Sequence, residues 1–257
     1  MLNFKNTNIF FVSLVASLLW LNARVNMPIY IFGIVVLIYS LIVFYGCYYV
    51  GSNFFIKIIC KANTTKKEIA ITFDDGPAQN YTPQILEILN KENIKATFFC
   101  IGKNIMGNEN ILKQIDANGH LIGNHSYSHH FWFDMYSAKK MQSDLQMMDN
   151  EMEKVLDKKP KLFRPPYGVT NPNVKKAIVR GCYTLIGWSV RSMDTVATDE
   201  NKLLTKIVAG IKPGAVFLFH DTCLRTANVL PKFIQEVKNR GYSIVPLDKL
   251  LLLQPYA

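Results

Sequence analysis

Five short stretches hold the residue types that do chemistry: Asp74-Asp75-Gly76-Pro77, His125-Ser126-Tyr127-Ser128-His129, Arg164-Pro165-Pro166-Tyr167-Gly168, the segment Trp188 to Asp194, and Leu218-Phe219-His220-Asp221. Four of the chain's five histidines lie in or beside them. One carboxylate with two imidazoles suits a divalent cation that keeps positions open for water and substrate, as a catalytic ion does and a structural one does not. Asp75, His125 and His129 offer that set, and the i, i+4 spacing predicts both rings on one side of a helical turn. Asp74 is then a free carboxylate beside the ion, suited to accept a proton from an attacking water. Each stretch alone has a plainer reading: Asp-Asp-Gly-Pro is good turn chemistry, and a lone histidine is more often structural. Their joint occurrence is what the plain readings fail to predict.

The elements between these stretches explain how they meet. Ile69 to Phe73, Ala96 to Ile101, His120 to Gly123, Leu162 to Phe163, Cys182 to Val190, Ala215 to Phe219 and Ser243 to Val245 read as strands. Helical patterns alternate with them: one opens at Thr82-Pro83 with Thr82 as N-cap, and others cover Asn110 to Asn118, Ala138 to Leu156, Asn171 to Arg180, Glu200 to Ile211 and Leu230 to Arg240. Such alternation predicts parallel β with helices outside, a distorted (β/α) barrel of about seven strands. Each polar stretch comes directly after a strand, the end where such folds place their chemistry.

The order TFDDGP (Thr72 to Pro77), HSYSH, RPPYG, a strand bearing Asp194, and LFH (Leu218 to His220) resembles the polysaccharide deacetylase, or NodB-homology, family over roughly residues 66 to 250. The resemblance implies Asp75, His125 and His129 as metal ligands, with zinc the expected ion and cobalt or manganese as alternatives. It implies Asp74 as the base, held ionised by Arg164, and the backbone N–H of Tyr167 facing the oxyanion. Amide cleavage needs a general acid because an amine leaves poorly unless protonated; His220 is the candidate, with Asp194 orienting it and raising its pKa. Leu218 and Trp188 read either as walls for a small acyl methyl or as ordinary core. The fourth motif departs from the family, with Arg191 and Thr195 where many members carry Asp and Trp, so the acceptor side of the pocket is expected to differ.

The 29 basic residues exceed the 19 acidic ones by 10, and residues 1–63 hold four of the basic residues and no acidic ones. The lysines are scattered without an aromatic-interleaved basic run, so nucleic acid is not the expected partner. Five cysteines without a CxxC pair form neither a disulfide framework nor a zinc ribbon. Val25 to Ile56 is uncharged, and its apolar core, Ile29 to Val50, makes about 33 Å of helix, enough to cross a bilayer. A shorter apolar run, Ile9 to Leu21, precedes it. A helical hairpin anchor over residues 1–63, with spans 7–23 and 29–50, is expected ahead of a deacetylase-like catalytic domain over 64–257; a cleaved signal peptide is the competing reading of the first run. Lys57, Lys61, Lys66 and Lys67 favour a cytoplasmic catalytic domain behind a hairpin, whereas a single span would put it outside.

The expected activity is metal-dependent hydrolysis of N-acetyl or other small acyl groups on the amino sugars of a glycan or glycolipid. The alternatives are deacylation of a lipid-linked sugar at the cytoplasmic face, O-acetyl ester hydrolysis, and a catalytically silent glycan-binding membrane protein. No protein partner is inferred.

Overall fold

In the computed structural model, which describes residues 2–257, two long helices precede an α/β body. The first, α1 (Phe4–Val25), is capped by the Asn3 side chain and ends at a left-handed Asn26; the second is α2 (Tyr30–Tyr48). Both are long and apolar enough to cross a membrane by length and composition, and both sit near the N-terminus as a signal sequence would. Apolar side chains such as Phe10, Trp20, Ile34 and Leu41 point outward. The pair is joined by Tyr39, whose hydroxyl donates to Asn8 Oδ1 at 2.8 Å. Relative to the expected segments, α1 starts earlier because Asn3 caps it, and α2 stops at Tyr48 because Tyr49 is extended.

The body contains β1 (Glu68–Asp74), β2 (Thr97–Cys100), β3 (Leu121–Asn124), β4 (Leu162–Phe163), β5 (Thr184–Leu185), β6 (Val190–Arg191), β7 (Val216–His220) and β8 (Ser243–Ile244). Its helices are α3 (Thr82–Lys91), α4 (Gly102–Ile105), α5 (Glu109–Ala117), α6 (Ala138–Leu156), α7 (Pro172–Gly181), α8 (Glu200–Ala209), α9 (Leu224–Asn239) and α10 (Leu247–Leu251). Seven strands pair in parallel in the order β5-β4-β3-β2-β1-β7-β6, and β8 adds to the start of β1. The order has two unjoined ends, so the expected barrel is an open one. Central β1 is covered on both faces, which is why it reads as an unbroken apolar run; Ile69, Ile71 and Phe73 are fully buried. Phe73 stacks on Phe98 at 5.0 Å, and Phe219 packs on Phe233 of α9 at 5.5 Å. Each such burial contributes about 2 kcal/mol.

Residues 54–62 run through the open side. Ile59 N–H donates to Leu185 O, Gly187 N–H to Ile59 O, and Ala62 N–H to Gly214 O, each within 3.0 Å. Ile58 joins Phe163 and Leu185 in one apolar cluster. The first helical pair is docked as well: Thr170 N–H donates to Cys47 O at 3.0 Å.

Register aligns the strand ends. Asp74 lies level with Phe99 and His220, Cys100 with Asn124, and Asn124 with Phe163. The residue after each of these strands therefore emerges on one rim. Three local expectations are corrected. Thr82 is not the cap of α3 but its first residue; its Oγ1 donates to Asp221 Oδ2 at 2.6 Å and accepts from Ala78 N–H. Cys182 to Val190 is not one strand but β5 and β6 separated by Ile186 to Ser189, where the chain turns past Trp188. The third strand lies one residue later than expected, because His120 N–H closes back on Ile115 O.

Candidate active site

Asp75, His125 and His129 bring one carboxylate oxygen and two ring nitrogens within 4.8 Å of one another. Asp75 Oδ1 lies 3.5 Å from His125 Nε2 and 3.4 Å from His129 Nε2. It is buried yet accepts no hydrogen bond, a costly state for a carboxylate oxygen unless a cation meets it. His125 Nδ1 is 2.8 Å from Arg164 O, and a carbonyl only accepts, so the proton sits on Nδ1 and the Nε2 lone pair faces Asp75. The donor set and its orientation fit a divalent ion. Electrostatics agree. Burial would raise the Asp75 carboxyl, but the imidazoles of His125, His129 and His220 hold it well below the ordinary carboxylate range. Burial disfavours protonated His125, yet Asp74 and Asp75 raise its pKa, so the pair of carboxylates calls for positive charge at Nε2. Burial and the neighbouring His125 push His129 down to about 4, leaving its lone pair available at neutral pH.

The histidine pair does not lie on a helical turn, as its spacing suggested. It sits on an irregular loop with left-handed Ser126 (φ 67°) and His129 (φ 42°). Asn124 and Asp144 hold that loop: Ser126 N–H donates to Asn124 Oδ1 and Tyr127 N–H to Asp144 Oδ1, both at 2.7 Å. Asp75 and Tyr167 are also left-handed (φ 77° and 59°), so four residues of this rim hold strained backbone.

On one flank stands Asp74. Its Oδ1 accepts from Arg164 Nη1 at 2.7 Å, and its Oδ2 lies 3.8 Å from His125 Nε2. Arg164 is fully buried: Nη1 also donates to Thr72 Oγ1, Nη2 to Gly187 O and Nε to Ile186 O, while the guanidinium stacks 4.2 Å from the Phe99 ring. On the other flank stands His220. Its Nδ1 is 2.7 Å from Asp194 Oδ1, and its Nε2 points back to Asp75 Oδ2 at 3.9 Å. Burial works against a protonated His220, but Asp194, with Asp74 and Asp75 beyond it, raises the pKa above the ordinary histidine value.

Asp74, Asp75, His125, His129 and His220 line one pocket of about 180 Å³, with Arg164 and Asp194 buried behind them, and its walls include Tyr167, Trp188, Leu218, Arg191 and Thr195. Trp188 closes against Gly168, where an added Cβ would strike the indole. Leu218 is nearly fully buried and Tyr167 is exposed. Several supports of the site are not readable from sequence. Thr226 Oγ1 donates to Asp194 Oδ2 at 2.5 Å, and Thr72 carries the Arg164 fork, with no signal in either sequence neighbourhood. Asp221, to which the motifs assign no role, is buried behind Gly76; its place directly after His220 is the one signal the sequence offers.

Comparison with known proteins points the same way. A family model described as polysaccharide deacetylase matches residues 61–185. A peptidoglycan-N-acetylglucosamine deacetylase of Bacillus cereus is 36% identical over 191 residues, covering 72% of this chain and 89% of that protein. One of Listeria monocytogenes is 33% identical over 205 residues, covering 79% of this chain; the chain spans 42% of that relative's length. The crystal structure of a peptidoglycan N-acetylglucosamine deacetylase in complex with a naphthalenyl-N-oxidanyl-benzamide superposes with a TM-score of 0.73 at 29% identity, covering 78% of this chain and 95% of that one.

Proposed function

The chain belongs to the polysaccharide deacetylase family, and from that premise we propose that it is a membrane-anchored, metal-dependent amidohydrolase that removes N-acetyl groups from the amino sugars of a glycan of the peptidoglycan type. One observation carries the reading: the Asp75–His125–His129 trio lies between Asp74, held by Arg164, and His220, held by Asp194, in one pocket. Within residues 1–63 the anchor is the helical pair, with α1 and α2 as its spans, and residues 64–257 carry the chemistry; the outward apolar side chains of both helices support this.

Asp75, His125 and His129 hold the ion, zinc by its ligand preference, with cobalt or manganese able to replace it. When bound, the ion supplies Lewis acidity, favouring attack by water near neutral pH and stabilising negative charge on the acyl oxygen. Asp74 Oδ2 takes a proton from the attacking water as the new C–O bond forms. Arg164 keeps that carboxylate ionised and fixes its direction through the 2.7 Å bond to Oδ1. The backbone N–H of Tyr167 faces the oxyanion. His220 Nε2 delivers a proton to the amine nitrogen as the C–N bond breaks, so a free amino sugar and acetate leave. Asp194 keeps the His220 proton on Nδ1, orients the ring and stabilises its charged form. Trp188 and Leu218 wall the acetyl methyl, and Arg191 with Thr195 faces the acceptor sugar.

The test is Asp74→Asn in the full chain. The variant should bind one zinc per chain, as measured by elemental analysis, and lose about 10³-fold or more of acetate release from chitooligosaccharides and peptidoglycan fragments. Retained activity with metal bound would refute the assignment.

A further inference from the structure

We propose that a basic groove adjoining both the end of α2 and the catalytic pocket binds the phosphate of a lipid-linked glycan, so that the amino sugar is deacylated while still attached to a lipid of the same bilayer. The inference rests on the deacetylase reading and adds a substrate class and a binding site to it.

The groove has a volume of about 960 Å³, against about 180 Å³ for the catalytic pocket. One end is formed by Tyr49, Val50 and Gly51, the three residues directly after α2. Trp188 and Arg191, which also wall the catalytic pocket, stand beside this end, where Val50 packs against Gly187, and the groove extends from there to Lys66 and Glu68 at the start of β1 and to Lys249 of α10. The two spaces therefore share these two side chains as walls, and the proposed ligand extends across both.

The charge of the groove is one-sided. Lys57, Lys61, Lys66, Lys249 and Arg191 line it and are exposed, and Glu68 is its single carboxylate. None of the five cations is in an ion pair among the described residues, so their charge is uncompensated at the groove. Uncompensated cations converging on a concave surface focus a positive field and attract a multiply charged anion. Ammonium and guanidinium groups are the usual ligands of phosphate oxygens. Lys57 and Lys61 are not on a loose tether: the backbone bonds of Ile59 and Ala62 to the rims of β5 and β7 fix the strip that carries them.

The position of the pocket supplies the lipid. Tyr167 lines the pocket, and Thr170, three residues on, is bonded to Cys47 in the last turn of α2. Three residues span at most about 10 Å, so the reacting centre sits close to the end of an apolar helix. A polymer free in solution needs no such closeness; a sugar joined through phosphate to a lipid does.

The experiment uses the full chain in phosphatidylcholine nanodiscs and three probes: N-acetylglucosamine joined through diphosphate to a short polyprenol, inorganic diphosphate, and the methyl glycoside of the same sugar. Dissociation constants are measured for the natural chain and for K57Q/K61Q/K249Q, three exposed changes outside the catalytic pocket. The lipid-linked sugar should bind at least about 100-fold more tightly than the glycoside, and the triple variant should lose roughly 10- to 100-fold of that affinity. Acetate release from a soluble chitooligosaccharide should be unchanged in the variant. An unchanged dissociation constant in the variant overturns the proposal. So does inorganic diphosphate binding as tightly as the lipid-linked sugar, which would make the groove a free-anion site, and so does an equal loss of activity on the soluble substrate. Charge-dependent binding without acetate release from any substrate would sink the deacetylase reading and leave the groove standing.

Discussion

Replacing Asp194 with Asn removes one charge at nearly constant volume, and the surrounding hydrogen bonds dictate the outcome. Asp194 accepts from His220 N–H at 2.7 Å and Thr226 Oγ1 at 2.5 Å on one oxygen, and from Thr195 N–H at 3.0 Å and the His220 ring Nδ1 at 2.7 Å on the other. An amide has one acceptor oxygen. A backbone N–H meets each oxygen, and the shorter bond, from His220, keeps the amide oxygen on that side, so the Thr195 bond is lost and the NH₂ faces Nδ1. That nitrogen must then give up its proton, and the imidazole is held neutral with its hydrogen on Nε2, a poor acid. The charge-assisted bond that is lost is worth about 1.5–3 kcal/mol, or roughly 10- to 100-fold in rate, and the general acid it supports is worth about 10²- to 10⁴-fold. His220 works protonated, so activity falls as pH rises through its pKa. Asp194 raises that pKa, and removing its charge lowers it, which moves the alkaline limb of the profile to lower pH. Acetate release measured between pH 5 and 9 should show a loss of about 100-fold or more at pH 8, a smaller loss at pH 5.5, and little change in KM. A profile superimposable on that of the natural chain, a limb moved to higher pH, or an equal loss at every pH would refute the assignment of His220 as the acid.

Arg164→Met leaves the buried Asp74 carboxylate without its partner and should cost about 3–5 kcal/mol in urea unfolding; adding Asp74→Asn should recover much of that loss, and additive effects would show that the pair is not coupled. Gly76→Ala places a methyl group against the buried Asp221 carboxylate and should lower the melting temperature, with Asp221→Ala restoring part of it. His120 is buried, its Nδ1 accepts from Ala96 N–H, and burial together with Lys95 pushes its pKa down to about 4. The folded state therefore excludes a proton that the unfolded chain takes up near pH 6.5. Stability should be fully present above that pH and fall by about 3 kcal/mol as pH drops from 6.5 to 4. His120→Asn, which keeps an acceptor without a titrating group, should flatten that slope in denaturant melts.

The convergence of Asp74, Asp75, His125, His129, Arg164, Asp194 and His220 was legible because scarce residue types come after successive strands, and parallel strands in register deliver their next residues to one rim. The backbone that aims them was not. Spacing of four between His125 and His129 suits a helix, but Asn124 and Asp144 offer the loop's N–H groups side-chain acceptors, and two left-handed residues replace the turn. Those acceptors, like Thr226 beneath Asp194, act across 2 to 32 positions of chain, where no local pattern reports them. The two-residue strands β5 and β6 are likewise too short to show periodicity and exist through their ladders to β4 and β7. The helical hairpin was visible from its uncharged length, whereas its hydrogen bond to Thr170 was not.

The strip at residues 54–62 has a practical meaning for anyone wishing to cut the molecule down. Ile58 is 5% exposed and packs with Phe163 and Leu185, whereas Phe54 and Phe55 pack on Phe4 of α1, and the strip closes a seam that the strands themselves leave open. A fragment beginning at residue 64 would keep every group in the reacting pocket and still lose the staves on one side of the cask. Its opened flank would present bare strand edges and the apolar faces of Phe163 and Leu185 to water, an invitation to clump. A soluble version should therefore begin ahead of Ile58, with the greasy hairpin trimmed, the rest of the strip retained, and Phe54 and Phe55, which α1 covers, removed or replaced.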